Sequence, residues 1–264
     1  VTTSGRQYTE YQPLGALRPW ILSYWRFATG AVAAGDPPHT VWPDGCTSLA
    51  LLPIPTPGPR VFLTGPRLTA VQTPVHPNSE VWGVRLWPDV AAQVLGCAAP
   101  ELRDRAGPAD AAITAWAQPL VAGLERCADE SARVAALDAA LLGLHARWHA
   151  PDGAVRAAVT HITARGGDVA MPALAAHCGI GLRQLQRRFR LATGLTLREW
   201  ARIRRLRESL ALRLRTEAGW STIAAASGFA DHAHLTREYQ SLVGIAPTHV
   251  ADSLQRIAHV NVRP

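Results

Sequence analysis

The chain has 264 residues, a net charge of +7 and an apolar fraction of 48%, enough to fill two domain cores. No stretch approaches the ~18 consecutive apolar residues of a membrane-spanning helix, and the segment around Arg18 and Arg26 is too short and mixed for a signal peptide, so no membrane partner is expected. Cys46, Cys97, Cys127 and Cys178 lie far apart with no C-x-x-C pair, which fits neither a disulfide framework nor a zinc cluster and predicts reduced thiols in a cytoplasmic protein.

The first ~88 residues read as irregular β structure, short β-prone runs such as Val61–Thr64 and Val81–Trp87 alternating with Pro and Gly. Pro43, Asp44 and Gly45 between Val41-Trp42 and Thr47–Leu52 predict a hairpin turn in which Gly supplies a positive φ. Trp20, Trp25, Trp42, Trp82 and Trp87 crowd this region. The first four are candidates to line a ligand pocket, each offering an apolar ring and one polar N–H; the competing reading is that they fill a small β core. His39 and His76, with Cys46 between them, leave a barrel-type metal site open, although the clustered His-x-His pattern with a nearby Glu is lacking; no cofactor is expected.

From Asp89 the texture becomes Ala/Leu-rich, predicting helices at Asp89–Leu95, about Ala109–Arg126 and about Ser131–His149. The last two pack on the preceding core or form a dimer contact. Pro151-Asp152-Gly153 breaks this run and marks a boundary between parts 1–150 and 151–264, the latter helical to about Ile257. Charge changes at the same place: residues 1–150 hold 11 Arg and 12 acidic residues, whereas residues 151–264 hold 16 and 8, with no Lys anywhere. A genome biased towards Arg explains the residue type but not its concentration in one half, which is the electrostatic footprint of a nucleic-acid-binding domain.

The second part repeats itself at an offset of about fifty residues. Leu174-Ala175, Gly179, Leu185, Phe189 and Gly194 in the first copy correspond to Ile223-Ala224, Gly228, Leu235, Tyr239 and Gly244 in the second. A small residue lets two helices cross closely, Gly tolerates the left-handed turn, and Ile180 or Phe229 plugs the turn into the core: the parts of a helix-turn-helix. Asp231 is a natural N-cap for the second of these helices. In the first copy Leu182, Leu185 and Phe189 form a buried stripe, leaving Arg183, Gln186, Arg187 and Arg190, with Gln184 beside them, on the exposed face. In the second, Leu235, Tyr239 and Leu242 are inward, leaving His232, Thr236, Arg237 and Gln240 outward, with Ala233 beside His232. Arg and Gln on an exposed helix suit the major groove, where Arg bridges two guanine acceptors and Gln pairs with adenine. His232 or His234 would make affinity at that half-site pH-dependent. Between the copies, Thr196–Arg215 predicts a stiff helix about 30 Å long, close to the roughly 34 Å between successive major-groove faces. Arg202, Arg204, Arg205 and Arg207 on it are expected partly to pair with Glu199 and Glu208 and partly to approach phosphates.

On these motifs residues ~152–250 resemble the DNA-binding domain of the AraC/XylS family of transcription regulators. The resemblance spans both halves in order, with Pro247 completing the second; Leu197, Leu235, Tyr239 and Val250 depart from the common residue at their positions. It implies an α+β protein: a mainly β, cupin-like sensor domain with helices, then an all-α seven-helix domain whose two recognition helices enter successive major grooves. Positions matching Arg183, Gln186, Arg187, His232, Ala233 and Arg237 then face the bases. The implied partners are double-stranded promoter DNA, RNA polymerase, a small-molecule effector and a second copy of the chain. The segment Val81–Pro108 also resembles the strand–helix junction of one sensor subgroup.

Other classes of function compete with this one. An alkyl-transfer enzyme would need an activated cysteine, yet Cys46 and Cys97 are followed by Thr-Ser and Ala-Ala with no local base. An amidase-like domain would need a nucleophile elbow, and no G-x-S-x-G occurs. A non-specific architectural DNA-binding protein would be basic throughout, whereas the excess charge here is confined to one part.

Overall fold

The computed structural model describes residues 5–31, 38–54 and 57–250, and the sequence-predicted helix towards Ile257 leaves the described residues after Val250. The N-terminal part holds strands β1 (Arg6–Tyr11), β2 (Ile21–Thr29), β3 (His39–Val41), β4 (Thr47–Leu51), β5 (Val61–Thr64), β6 (Val71–Thr73), β7 (Glu80–Leu86) and β8 (Ala106–Pro108). Six form one antiparallel sheet in the order β1-β2-β7-β4-β5-β8, and β3 pairs with β6 in a separate ribbon. Side chains alternate across the sheet: Leu49 and Leu51, Val61 and Leu63, Trp82, Val84 and Leu86 all point into one core. A hairpin of helices α3 (Ala111–Glu125) and α4 (Glu130–His145) covers that core with Leu120, Val121, Leu124, Leu137 and Leu141. Before it come two short helices, α1 (Ala91–Leu95) and α2 (Ala99–Leu102).

The turn at Pro43–Gly45 is present, with Gly45 at φ 72°, but it does not make the expected hairpin. β3 pairs with β6, while β4 pairs with β5 and β7. The turn instead moves the chain from the ribbon to the main sheet, closed by Asp44 Oδ1 accepting from the Cys46 N–H at 2.9 Å.

The C-terminal part is helical: α5 (Gly153–Ala164), α6 (Met171–His177), α7 (Leu182–Thr193), α8 (Leu197–Arg215), α9 (Trp220–Ala226) and α10 (His232–Val243), with a further helical turn beginning at Pro247. It has two cores. Val155, Val159, Leu174, Leu185, Phe189 and Trp200 fill the first; Leu206, Leu210, Ile223, Phe229, Leu235 and Tyr239 fill the second. Helix α8 runs through both, giving Trp200 and Ile203 to one and Leu206 and Leu210 to the other.

The β-rich and helical parts are joined by polar and apolar contacts. Arg156 of α5 binds Asp89 at 2.7 and 3.1 Å and donates to the Pro19 carbonyl at 2.7 Å. Arg103, just after α2, binds Glu199 at the start of α8 at 2.7 and 3.2 Å and donates to the Gly194 carbonyl. Further along, the Ala70 N–H donates to the Leu242 carbonyl of α10 at 2.9 Å, and Trp42 packs on Tyr239. Burial raises the Glu199 carboxyl, but the hydrogen bonds from Arg103 and from Thr196 outweigh it and hold its pKa at about 2. A depressed carboxyl contributes stability above its unfolded pKa near 4.3 and loses it as pH falls through the folded value. An acid titration of unfolding free energy should therefore decline between about pH 5 and 2, and Arg103→Met should flatten that decline. An unchanged acid limb in the variant would show that Arg103 does not hold Glu199.

Candidate nucleic-acid interface

The two repeats fold alike down to individual hydrogen bonds. After α6 the Gly179 N–H donates to the Ala176 carbonyl and the Ile180 N–H to the Ala175 carbonyl; after α9 Gly228 donates to Ala225 and Phe229 to Ala224. Gly179 and Gly228 sit at φ 68° and 72°, the left-handed geometry that closes a helix C-terminus in this way. Ala175 and Ala224 are buried at the crossing. Both second helices end on a left-handed Gly, Gly194 at φ 72° and Gly244 at φ 80°. Their starts differ: Asp231 Oδ1 accepts from the His234 N–H at 2.6 Å, while Gly181 offers no side-chain cap to α7.

The outward faces carry the residues nominated from spacing. Arg183, Gln184, Gln186, Arg187 and Arg190 are exposed on α7, and His232, Ala233, Arg237 and Gln240 on α10, with Thr236 half-buried and donating to the His232 carbonyl. The arginines divide by partner. Arg188 is tied to Asp152 and Arg202 to Glu238 of α10, whereas Arg183, Arg187, Arg190 and Arg237 make no ion pair among the described residues. The paired arginines fix the helices; the exposed, unpaired ones are free to meet phosphates or bases. His234 plays a structural part, its Nδ1 accepting the Ala230 N–H at 3.3 Å and its ring against Phe229. His232 is exposed.

The arginines of α8 depart from expectation. Glu199 is taken by Arg103 from the N-terminal part, and Glu208 pairs with Arg215. Arg202 reaches Glu238, Arg205 lies 5.9 Å over the Phe229 ring, and Arg204 is buried 5.7 Å over Trp200. Helix α8 is therefore a packed central scaffold with most of this arginine face turned inward.

The nominated indoles are not brought together. Trp82 is fully buried in the sheet core and stacks on Tyr11; Trp25 lies over Gly83 and against Tyr8. Trp20 sits by Trp148 and His145, and Trp42 joins the core of the second helix-turn-helix. The reading of the rings as filling a small β core fits Trp82, whereas Trp42 packs on the second helical core. His39, Cys46 and His76 are equally apart: His39 stacks on Phe27, where burial lowers its pKa to about 4, His76 is exposed, and Cys46 is packed among residues of the first helical core. Among the described residues no group of three His, Cys, Asp or Glu side chains can hold a metal ion, and no helix is long and apolar enough to cross a membrane.

A cavity of about 220 Å³ opens elsewhere, between the six-stranded sheet and α8. Glu10, Arg18, Ser23, Asp44 and Arg85 line it from the N-terminal part, and Arg204 and Arg207 from α8. Spacing could not reveal it, because its walls come from segments that meet only when the two parts dock.

Duplicated turns, matched cores and two exposed polar helix faces on one scaffold define a double helix-turn-helix DNA-binding protein. Residues 174–253 match the family described as a helix-turn-helix domain, and residues 9–108 match a domain of unknown function (DUF6597). The chain thus carries a DNA-binding domain of the AraC/XylS type of transcription regulator. No curated protein matches it in sequence. Solved structures similar to it include ToxT from Vibrio cholerae O395, at 11% identity over 96% of this chain and 99% of that one with a TM-score of 0.45. Another is the same protein bound to (E)-4-(8-methylnaphthalen-1-yl)but-3-enoic acid, at 13% identity over 96% and 100% with a TM-score of 0.44. A third is unsaturated fatty acid-bound ToxT from Vibrio cholerae strain SCE256, at 10% identity over 98% of each chain with a TM-score of 0.44.

Proposed function

We propose that the chain is a one-component transcription regulator of the cytoplasm that reads two blocks of one promoter site with α7 and α10 and answers to a small-molecule effector held by its β-rich part. Residues 1–150 serve as sensor and 151–264 as DNA reader; the protein acts by binding, with RNA polymerase and a second copy of the chain as further partners. The observation that carries this reading is the pair of matching helix-turn-helix turns, each presenting unpaired arginine and neighbouring polar side chains on an exposed helix. Arg183, Gln184, Gln186, Arg187 and Arg190 are assigned to one block, and His232, Ala233, Thr236, Arg237 and Gln240 to the other.

Selection of random duplex DNA by the purified protein at physiological salt tests it. Two short enriched blocks about one helical turn apart are expected. Salt-sensitive binding with no enriched motif would favour an architectural protein instead. At the selected site, Arg187→Ala should cost about 1–3 kcal/mol and relax preference at one base pair. A uniform loss over all sequences would place Arg187 on phosphate.

A further inference from the structure

The cavity between sheet and α8 has an unbalanced polar lining. Of its charged groups, Glu10 and Asp44 are both engaged by Arg85, at 2.6 and 3.0 Å. Arg204 and Arg207 of α8 have no carboxylate partner among the described residues, and Arg18 reaches only the Pro13 carbonyl at 3.4 Å. Four arginines against two carboxylates leave the lining with an excess of two positive charges. Three of its polar side chains hold a buried atom with no hydrogen-bond partner: Arg85 at Nε, which lies 3.0 Å from Asp44, Arg204, 7% exposed, at Nε, and Ser23, 2% exposed, at Oγ. A buried guanidinium and a buried hydroxyl left unsatisfied are each costly. Arg204 has the Trp200 ring beneath it but no ion pair among the described residues, no side chain hydrogen-bonds to its Nε or to Ser23 Oγ, and both border the same space.

We propose that this cavity is the binding site of a small organic or inorganic anion carrying at least two negative charges, held by Arg204, Arg207 and Arg18 with a hydrogen bond from Ser23. The inference rests on the reading of the chain as an effector-responsive regulator and names the chemistry of that effector. Dicarboxylates and phosphates share the required chemistry, since the planar guanidinium fork meets either in a bidentate manner. The volume, about 220 Å³, lies below the roughly 300 Å³ at which drug-sized pockets begin, so the ligand is compact. Burial, reinforced by the neighbouring Arg207 charge, already pulls the Arg204 pKa down to about 10, as a guanidinium short of counter-charge would show. Because Ser23 and Arg18 belong to the sensor while Arg204 and Arg207 sit on the helix shared by both DNA readers, the anion bridges the parts whose relation must change for regulation. Its binding and the placement of α8 are then linked reciprocally.

The test is calorimetric titration of the full chain with succinate, citrate, inorganic phosphate and acetate at constant ionic strength, beside binding of the selected duplex. Saturable binding of one equivalent of succinate or citrate assigns the site to carboxylates, and of phosphate to phosphates; acetate should bind at least tenfold more weakly. Arg204→Met keeps the stem over Trp200 and should weaken the anion at least tenfold while raising the melting temperature of the anion-free protein. Arg207→Gln, at a half-buried position, should weaken binding with no change in circular dichroism. Absence of saturable binding by all three polyvalent anions at millimolar concentration overturns the proposal, as does undiminished binding by both variants or a lower anion-free melting temperature for Arg204→Met. Duplex selectivity without anion binding sinks this inference alone, and anion binding without duplex selectivity sinks the regulator reading alone.

Discussion

Gly167→Ala is expected to destabilise the DNA-binding part by more than about 3 kcal/mol, from the sum of backbone strain and a forced separation of packed elements. Gly167 closes α5, its N–H donating to the Ile162 carbonyl at 2.8 Å, with φ at 85°. A side chain in that region costs about 1–2 kcal/mol before any neighbour is considered. Here a Cβ would also lie 2.2 Å from the Ala201 carbonyl oxygen and 2.7 Å from the Arg205 nitrogen, both backbone atoms of α8. A helix backbone cannot swing aside as a side-chain tip can, so the α5–α6 turn must lift off α8, and the first core must open with it. Gly153, at the start of α5 with open space where a Cβ would stand, provides the control, since alanine there should be neutral or slightly stabilising. Urea unfolding followed by circular dichroism reads both. A Gly167→Ala midpoint within error of the parent would show that the turn is not pressed against α8. Since α8 carries both readers, duplex binding at both blocks should fall together.

The contrast between what can and cannot be read from the chain follows the range of the interactions. The helix-turn-helix units are legible because their determinants are local: an alanine at a crossing, a glycine one turn later, and leucine and aromatic residues at helical spacing all act within about twenty residues. Thr196–Arg215 is legible for the same reason, with Thr196 and Glu199 capping each other's backbone N–H groups. The orientation of that helix is not. Whether Arg204 faces solvent or a core depends on Cys46 and Asp44, and the partner of Glu199 lies 96 residues away at Arg103. Likewise β3 looks like half of a hairpin with β4 because turn chemistry is visible and strand pairing is not; its partner β6 begins thirty residues downstream of β3's last residue. The short α2 and β8 leave no periodic signal, and each is held by a distant element, α2 against α7 and β8 against β5. The tryptophans stand out in the composition, but ring size predicts burial more reliably than it predicts a pocket.

Breaking the Arg156–Asp89 pair from one side is expected to cost about 3–5 kcal/mol at neutral pH, the range for stranding a buried charge. The Asp89 side chain is wholly buried, while Arg156 is 22% exposed and lies 5.1 Å over the Trp87 ring. Arg156→Met preserves the apolar stem and removes the fork that supplies Asp89 with its two hydrogen bonds. Burial already raises the Asp89 carboxyl above the usual carboxylate range, the Arg156 hydrogen bonds offsetting only part of it; without them it rises further. A carboxyl whose folded pKa lies above its unfolded one destabilises the fold once it is ionised, and this penalty fades as pH falls through the folded value towards the unfolded ~3.9. The deficit of Arg156→Met should therefore be largest at neutral pH and shrink on acidification, opposite in sign to the Glu199 contribution across the same interface. Adding Asp89→Asn to Arg156→Met should recover more than half of the loss, because the pair's worth lies mainly in not leaving either charge alone. A deficit that is flat with pH, or a double variant as unstable as the single, would mean that Arg156 acts through its bond to Pro19 and its ring contact rather than through Asp89. With the pair neutralised in this way, the β-rich part would keep its apolar contact with the helical part but lose its most buried charged tie to it. Selection of duplex DNA by α7 and α10 should then survive, while any response of that selection to an effector should weaken.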